Sequence, residues 1–468
     1  MAVADLEEMR RDARAIFDDA LRAVDARHAV LGAVELTDDE LRVRDARFPL
    51  CADDKVSGLH RPPRKIYSVA LGKAAAAMAY ALDERLGERL AGGVLSTPTT
   101  DLRLAPRWSI FEGGHPLPNE SSLEAARAAF KLLRDADDSD GIVIFLVSGG
   151  GSAMIEWPRD ERLTLDHLRE TNRMLVTCGA SITEVNAVRR ALSAVKGGGL
   201  SARAPRAAQV TLIVSDVGAG RAYDVASGPT IPHSADANDV KEIVARYGLA
   251  SKLPSSVLHA LEESNERPAQ AELSDAVRRH FVLLDNEAAC AAAAESARGR
   301  GFVVEMARGI VEQPVEAGAS ALVARLVELQ RRAGGRGVCL ISGGEFACPV
   351  RGAGVGGRNA ETALRIAFEF EKIVSGRIAE RTGGRSVEES SRVMVALCAG
   401  TDGVDGNSPA AGALACATTL PRARERGLDA ANFLVESDAY NFFDLLGDAI
   451  MTGPTGTNVR DVRILLAR

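Results

Sequence analysis

Apolar residues at Leu6, Met9, Ala13, Ile16, Phe17, Ala20 and Leu21 recur at intervals of three and four, which predicts an amphipathic helix over 5–30. Beyond Pro62 and Pro63 the pattern changes to KIYSVAL (65–71), a strand. A glycine, an alanine-rich helix and a second strand, GGVLST (92–97), follow. GIVIFLVSGG (141–150) and VTLIVSDV (210–217) are almost wholly apolar, as strands covered on both faces are. Helical periodicity lies at 121–134 and 163–178. The order strand, helix, strand predicts an α/β unit built on a parallel sheet.

Apolar strands pause over 250–280, and a domain junction is expected there. The division predicted is 1–255 for an N-terminal α/β domain and 256–468 for a C-terminal one. In the second part HFVLLD (280–285), a helix at 286–298 and FVVEMA (302–307) restart the rhythm. A helix at 316–332 comes next. VCLISGGEFACPV (338–350) reads as strand, glycine turn and second strand. A helix at 359–375, RVMVALCAG (392–400) and the terminal RDVRILLAR complete the chain.

Composition narrows the function classes. The 468 residues carry a net charge of −7, which disfavours a nucleic-acid binder. Only 8 of the basic residues are lysines against 49 arginines, so a lysine inside a glycine-rich segment draws notice. Seven cysteines without a CxxC pair argue against a disulfide framework and a structural zinc site. The charged N-terminus lacks a signal-peptide core and no 18-residue apolar run follows, so a cytoplasmic protein without membrane partners is expected.

Polar signatures gather where strands end, the place where parallel α/β sheets bind ligands. They are ALGKA (70–74), GGHPLPNE (113–120), VSGGGSA (147–153), VSDV (214–217), ASGPT (226–230), ISGGE (341–345), GVGGRNAE (354–361) and AGTDGVDG (399–406). Glycine permits close backbone approach, and successive N–H groups in such turns form anion-binding concavities. The implied ligand is anionic and rich in oxygen. Established phosphate motifs are missing: Lys73 has Tyr67 and Ala74 where a Walker A loop needs Gly and Ser or Thr, and no GxGxxG opens the first helix. The run Gly352–Gly357 is too far from its strand to count alone, and neither HExxH nor GxSxG occurs.

Lys73 lies in the first turn of a helix, where a cation opposes the dipole and calls for a compensating anion. Arg358, presented by GVGG, suits bidentate phosphate recognition. Asp216 ends an apolar strand and could bind Mg²⁺ or act as a base. Glu345 could share that cation, and Asp402 and Asp405 carry the same ambiguity between a cation loop and turn chemistry. Substrate contacts are expected from His115, Ser148, Gly150, Gly151, Ser152, Asn186, Arg189 and Lys196; Asn186 and Arg189 share a helix face. Cofactor contacts are expected from Gly343, Gly344, Glu345, Gly356, Gly357, Asn359, Asp402 and Asp405.

These blocks, with ITEVNAVRRALSAVKGGGL, DNEAA and GPTGTNV between and after them, follow one another over residues 65–460 in the order seen in a known family. The chain resembles the glycerate 2-kinases with an MOFRL-type C-terminal domain. That resemblance implies a Rossmann-like parallel-sheet N-terminal domain, a C-terminal α/β domain with the MOFRL-type region at about 335–460, and an active site in the cleft between them. It implies ATP and Mg²⁺ as cofactors, D-glycerate as substrate and 2-phosphoglycerate as product. The family's catalytic lysine falls on Lys73 and its GGRN arginine on Arg358. The chain departs from the family at Ala191 (usually His), Ala219 (usually Asp), Ala360 (usually Gln) and His233 (usually Asp). Two rival readings stay open: an NAD(P)H-dependent hydroxypyruvate reductase, and a non-catalytic binder of small anions or nucleotides. A homodimer is compatible with either.

Overall fold

The computed structural model describes residues 2–51, 63–232, 237–264, 278–376 and 393–468. The chain divides into two compact units, Ala26–Leu284 on the one hand and Met1–Asp25 with Asp285–Arg468 on the other.

The Ala26–Leu284 unit is organised by six parallel strands: β1 (Ile66–Leu71), β2 (Leu90–Thr97), β3 (Trp108–Glu112), β4 (Ile142–Ser148), β5 (Ala208–Val214) and β6 (Arg278–Leu284). Their order across the sheet is β3-β2-β1-β4-β5-β6, and every pairing is parallel. This is the doubly wound order of nucleotide-binding sheets, with its reversal between β1 and β4. All residues of β1, β4 and β5 are buried, which is why these segments read as unbroken apolar runs. The helix Glu120–Asp138 covers one face through Ala125, Ala126, Ala129 and Leu133. Between β4 and β5 the chain inserts helices Leu165–Thr177 and Ile182–Leu192. With Ala237–Arg246 and Ser255–Ser264 they enclose a separate core around Leu175, Val188, Ile243 and Val257.

The other unit has a mixed sheet of β7 (Val303–Met306), β8 (Val338–Ser342), β9 (Met394–Gly400), β10 (Gly412–Cys416), β11 (Ala449–Ile450) and β12 (Asp461–Ala467), ordered β7-β8-β12-β9-β10-β11. Only β7 and β8 pair in parallel; the terminal strand β12 runs antiparallel between β8 and β9. Helices Val315–Arg332 and Arg358–Val374 bury Leu322, Leu326, Leu364 and Phe370 in its core.

Three expectations are corrected. The strand near 280–285 does not open the second unit: as β6 it pairs with β5, so the division falls after Leu284 rather than at 255/256. The expected helix over 5–30 is two helices, Ala2–Ala23 and Ala26–Ala33, and the chain passes from one unit to the other between them. The segment 346–350 makes only an isolated bridge, Ala347 with Pro314, because Pro349 lacks the N–H a ladder needs.

All seven cysteines are unpaired. Among the described residues no helix is long and apolar enough to cross a membrane.

The first helix is bound to the later part of the chain by buried Met9, Ile16 and Phe17 and by Arg10 to Asp448 at 2.6 Å. Phe17→Ala is therefore expected to cost about 3–5 kcal/mol. Hydrogen exchange should quicken in β9 and β12 while β1 and β4 keep their protection; the opposite pattern would return residues 1–25 to the other unit.

Candidate active site

At the reversal of the parallel sheet, the carboxyl ends of β1 and β4 meet through backbone. Gly72 (φ +114°) lies so close to Ser148 that a Cβ would overlap its Oγ and carbonyl. Lys73 N–H donates to Gly149 O at 2.8 Å, and Ala74 N–H donates to Ser148 Oγ at 3.0 Å. Ser148 is fully buried, so its hydroxyl joins the two strand ends. Lys73 is half-buried and precedes the helix Ala75–Leu86. A Cβ on Gly149 would collide with the Asp216 carboxylate, and one on Gly150 would lie 3.3 Å from Lys73 Cγ and 3.1 Å from His115 Cδ2. Lys73, His115 and half-buried Asp216 thus surround one glycine loop, from strand ends far apart in sequence.

The loop leads into the short helix Gly151–Met154, where Gly151 is packed against Leu71 and Ala226. Ser152 Oγ and Ser227 Oγ are 2.9 Å apart, and Ser227 Oγ donates to Asn186 Oδ1 at 2.9 Å. Buried Lys196 pairs with Glu156; burial pushes the ammonium down and Glu156 opposes that shift. Arg189 Nε donates to Asn172 Oδ1 at 2.8 Å. Ser152, Glu156, Asn172, Arg189 and Lys196 line one pocket.

In the Asp285–Arg468 unit, β8 ends at Gly343-Gly344-Glu345. Gly344 N–H donates to Asn286 Oδ1 at 2.8 Å. Arg463, wholly buried, donates to Gly343 O at 2.6 Å and stacks on Phe346 at 3.6 Å. Arg358 opens the helix Arg358–Val374 and donates to Asp461 Oδ2 at 2.6 Å and Glu345 Oε1 at 2.8 Å. Burial would lower its pKa, but the two carboxylates outweigh it and hold the guanidinium charged. Asp405 accepts from Asn359 N–H (2.9 Å) and Ala360 N–H (2.8 Å). Burial pushes Asp405 up to about 7 against those bonds.

These contacts sort the expected cofactor residues. Asp405 and Asn359 are buried and engage each other, so the acid caps the helix. Gly356, Gly357 and Arg358 line an open pocket of about 410 Å³. Asp402 accepts Val404 N–H at 3.2 Å, a turn contact. Glu345, expected at a cation, is on Arg358. Among the described residues no group of three or more His, Cys, Asp or Glu is arranged to hold a metal.

Sequence reasoning missed Asp461, Arg463, Glu156, Ser227 and Asn172. Asp461 and Arg463 left one signal: charges two apart in an otherwise apolar strand. Of the family departures, Ala191 and Ala360 are buried on helices, Ala219 is exposed, and His233 lies outside the described residues.

A family model described as a domain of unknown function, DUF4147, matches residues 12–262, and the MOFRL family model matches 338–461. The chain is 33% identical to the glycerate 2-kinase of Pyrococcus horikoshii, over 96% of this chain and 95% of that protein. It is 34% identical to human glycerate kinase, over 98% and 93%, and 35% identical to a putative hydroxypyruvate reductase of Agrobacterium vitis, over 89% and 91%. Among solved structures, a glycerate kinase from Thermotoga maritima matches with a TM-score of 0.78 at 29% identity, covering 99% of this chain and all of that one. Identity of this level across both halves means that the chain belongs to the glycerate kinase family, with an N-terminal DUF4147 domain and a C-terminal MOFRL domain.

Proposed function

We propose that this protein is an ATP- and Mg²⁺-dependent kinase that phosphorylates the C2 hydroxyl of D-glycerate, giving 2-phospho-D-glycerate and ADP. The observation that carries the reading is the placement of Asp216 against Gly149 and of Lys73 against Gly150, at the reversal of a β3-β2-β1-β4-β5-β6 sheet. Relatives named glycerate kinase, from an archaeon to human, support it. So does a relative in Thermotoga maritima named D-glycerate 2-kinase.

Lys73 and the loop amides hold the glycerate oxygens and the transferring phosphoryl. Asp216 orients the C2 hydroxyl and accepts its proton as the oxygen–phosphorus bond forms and ADP departs. The pocket beside Gly356, Gly357 and Arg358 takes the nucleotide. Arg358 is set in place by Asp461, and half-exposed Glu345 is the partner a phosphate would displace. Mg²⁺ commonly uses one or two carboxylates and completes its shell with phosphate oxygens and water, so one Asp216 oxygen would serve as its protein ligand while the other is left to the C2 hydroxyl, and no all-protein cage is required. When bound, the ion neutralises phosphate charge. Unpaired cysteines agree with a cytoplasmic setting.

The name of the Agrobacterium relative and the strand order favour one second reading, hydroxypyruvate reduction. Its weakness is the turn after β1, which reads LGKAA in place of a dinucleotide fingerprint.

Incubation with D-glycerate, ATP and Mg²⁺ should yield 2-phosphoglycerate, resolved from the 3-isomer by product analysis. NAD(P)H consumption with hydroxypyruvate and no phosphorylated product would favour the reductase. Lys73→Ala and Arg358→Ala should each lower kcat about 10²-fold or more with the thermal midpoint little changed; wild-type turnover in either removes that residue from the mechanism. Gly149→Ala should displace the Asp216 carboxylate and lower kcat more than it raises the KM for ATP. An unaltered kcat would separate Asp216 from the chemistry.

A further inference from the structure

The pocket behind the Gly150–Ser152 loop holds an imbalance of buried charge. Lys196 and Glu156 pair, and Glu156 is already engaged: besides Lys196 it accepts from the Ser193 hydroxyl and from Trp157 N–H at 3.0 Å, so it reaches Arg189 only through space. Arg189, on the helix Ile182–Leu192, faces the same pocket. Its guanidinium bonds only to the neutral amide oxygen of Asn172, and among the described residues no carboxylate forms an ion pair with it. A partly buried guanidinium matched by an amide leaves about one positive charge uncompensated, an arrangement that costs stability unless an anion completes it. Burial accordingly pushes Arg189 down, with Glu156 opposing.

We propose that Arg189 is the residue that recognises the carboxylate of a small 2-hydroxycarboxylate substrate, seated in this pocket with its hydroxyl end toward Lys73. Three observations converge. The charge deficit is a single negative unit. The internal space is about 30 Å³, room for a two-oxygen group and little more. The pocket wall includes Ser152 and Pro116, the immediate neighbours of the loop and histidine that flank Lys73. Asn172 aims the fork by occupying one edge of it, so the other edge meets the carboxylate. The Lys196–Glu156 pair is a positioning element that fixes the pocket floor beneath it. The assignment rests on the kinase reading for the identity of the acid, and it gives the carboxylate to Arg189 and leaves Lys73 the hydroxyl end and the transferring phosphoryl.

The discriminating variant is Asn172→Asp, nearly isosteric, which places an internal carboxylate against Arg189 and supplies the missing charge. Calorimetric titration of the full chain with D-glycerate should show affinity falling about 10- to 100-fold in this variant, as expected for one charge-assisted bidentate contact. The thermal midpoint should hold or rise. Arg189→Gln should lose affinity similarly, and Arg189→Lys should recover only part. The KM for ATP should stay within about twofold in all three, because the nucleotide does not meet this pocket. Inorganic phosphate, titrated in parallel, should bind at least about tenfold more weakly than glycerate to the wild type. Wild-type glycerate affinity in Asn172→Asp overturns the proposal while leaving the kinase reading intact. Equal affinity for phosphate overturns the carboxylate assignment. Glycerate binding that depends on Arg189, without any phosphoryl transfer from ATP, would instead sink the kinase reading and keep this one.

Discussion

The contact on which the rest depends is the approach of two backbone turns, Gly72 against Ser148, sealed by the bond from Lys73 N–H to Gly149 O. No side chain larger than hydrogen fits at Gly72, and its φ of +114° is one that other residues rarely adopt. The contact fixes where β1 hands over to its helix, and so where Lys73 stands. It also brings the β4 loop beneath Lys73, which is what lets Gly149 give way to Asp216. The expected first-turn position is corrected by one step: Lys73 stands just ahead of the Ala74 N-cap, where a cation still opposes the helix dipole unless something negative is near. The same backbone contact that imposes the misplacement brings a carboxylate to the neighbouring glycine.

The Asp285–Arg468 unit solves a different problem. Arg358, Arg463, Asp405, Asp461 and Glu345 are crowded together, most of them out of water, and burial of unpaired charges would cost several kcal/mol per ion. The cluster is tolerable because the donors and acceptors interlock: Asp461 holds Arg358 at 2.6 Å, and Arg463 is spread over two glycine carbonyls and an aromatic face. Asp405 spends its oxygens on the first N–H groups of the helix that begins with Arg358. Asp405, expected at a cofactor, sets the direction of the helix that presents the arginine.

Much of the parallel sheet was legible, because a strand buried on both faces must be apolar throughout, and β1, β4 and β5 are. The loops were legible for a related reason: glycine pairs after such strands have few other uses. What escaped was non-local. Nothing inside Arg278–Leu284 says that its partner is β5, and nothing in the first 25 residues says that they pack on β9 and β12, more than 350 residues later. In the candidate site, Lys73, Asp216 and Arg358 stood out by position at strand or helix ends. Glu156 and Asn172 did not, because each sits in an ordinary segment and gains meaning only from the group folded against it. Asp461 stands between these cases: a charge inside a strand that is otherwise apolar is visible, but whether it meets an arginine or solvent depends on which strands flank β12.

Net charge distinguishes the two polar clusters more sharply than their residue lists do. The pocket at Arg189 is one positive charge in excess. The cluster at Arg358 is one negative charge in excess when all its acids are ionised, and close to neutral when Asp405 carries a proton, as its pKa near 7 permits. An anion entering the first pocket relieves a deficit that the fold itself creates. A polyphosphate approaching the second meets no such deficit. It must displace Glu345 from Arg358 or arrive with a countercharge of its own, and a divalent cation carried on the phosphates is the simplest countercharge available. On the proposed kinase reading, a metal carried on the nucleotide would offset the self-neutralised state of the arginine without a cage of protein carboxylates.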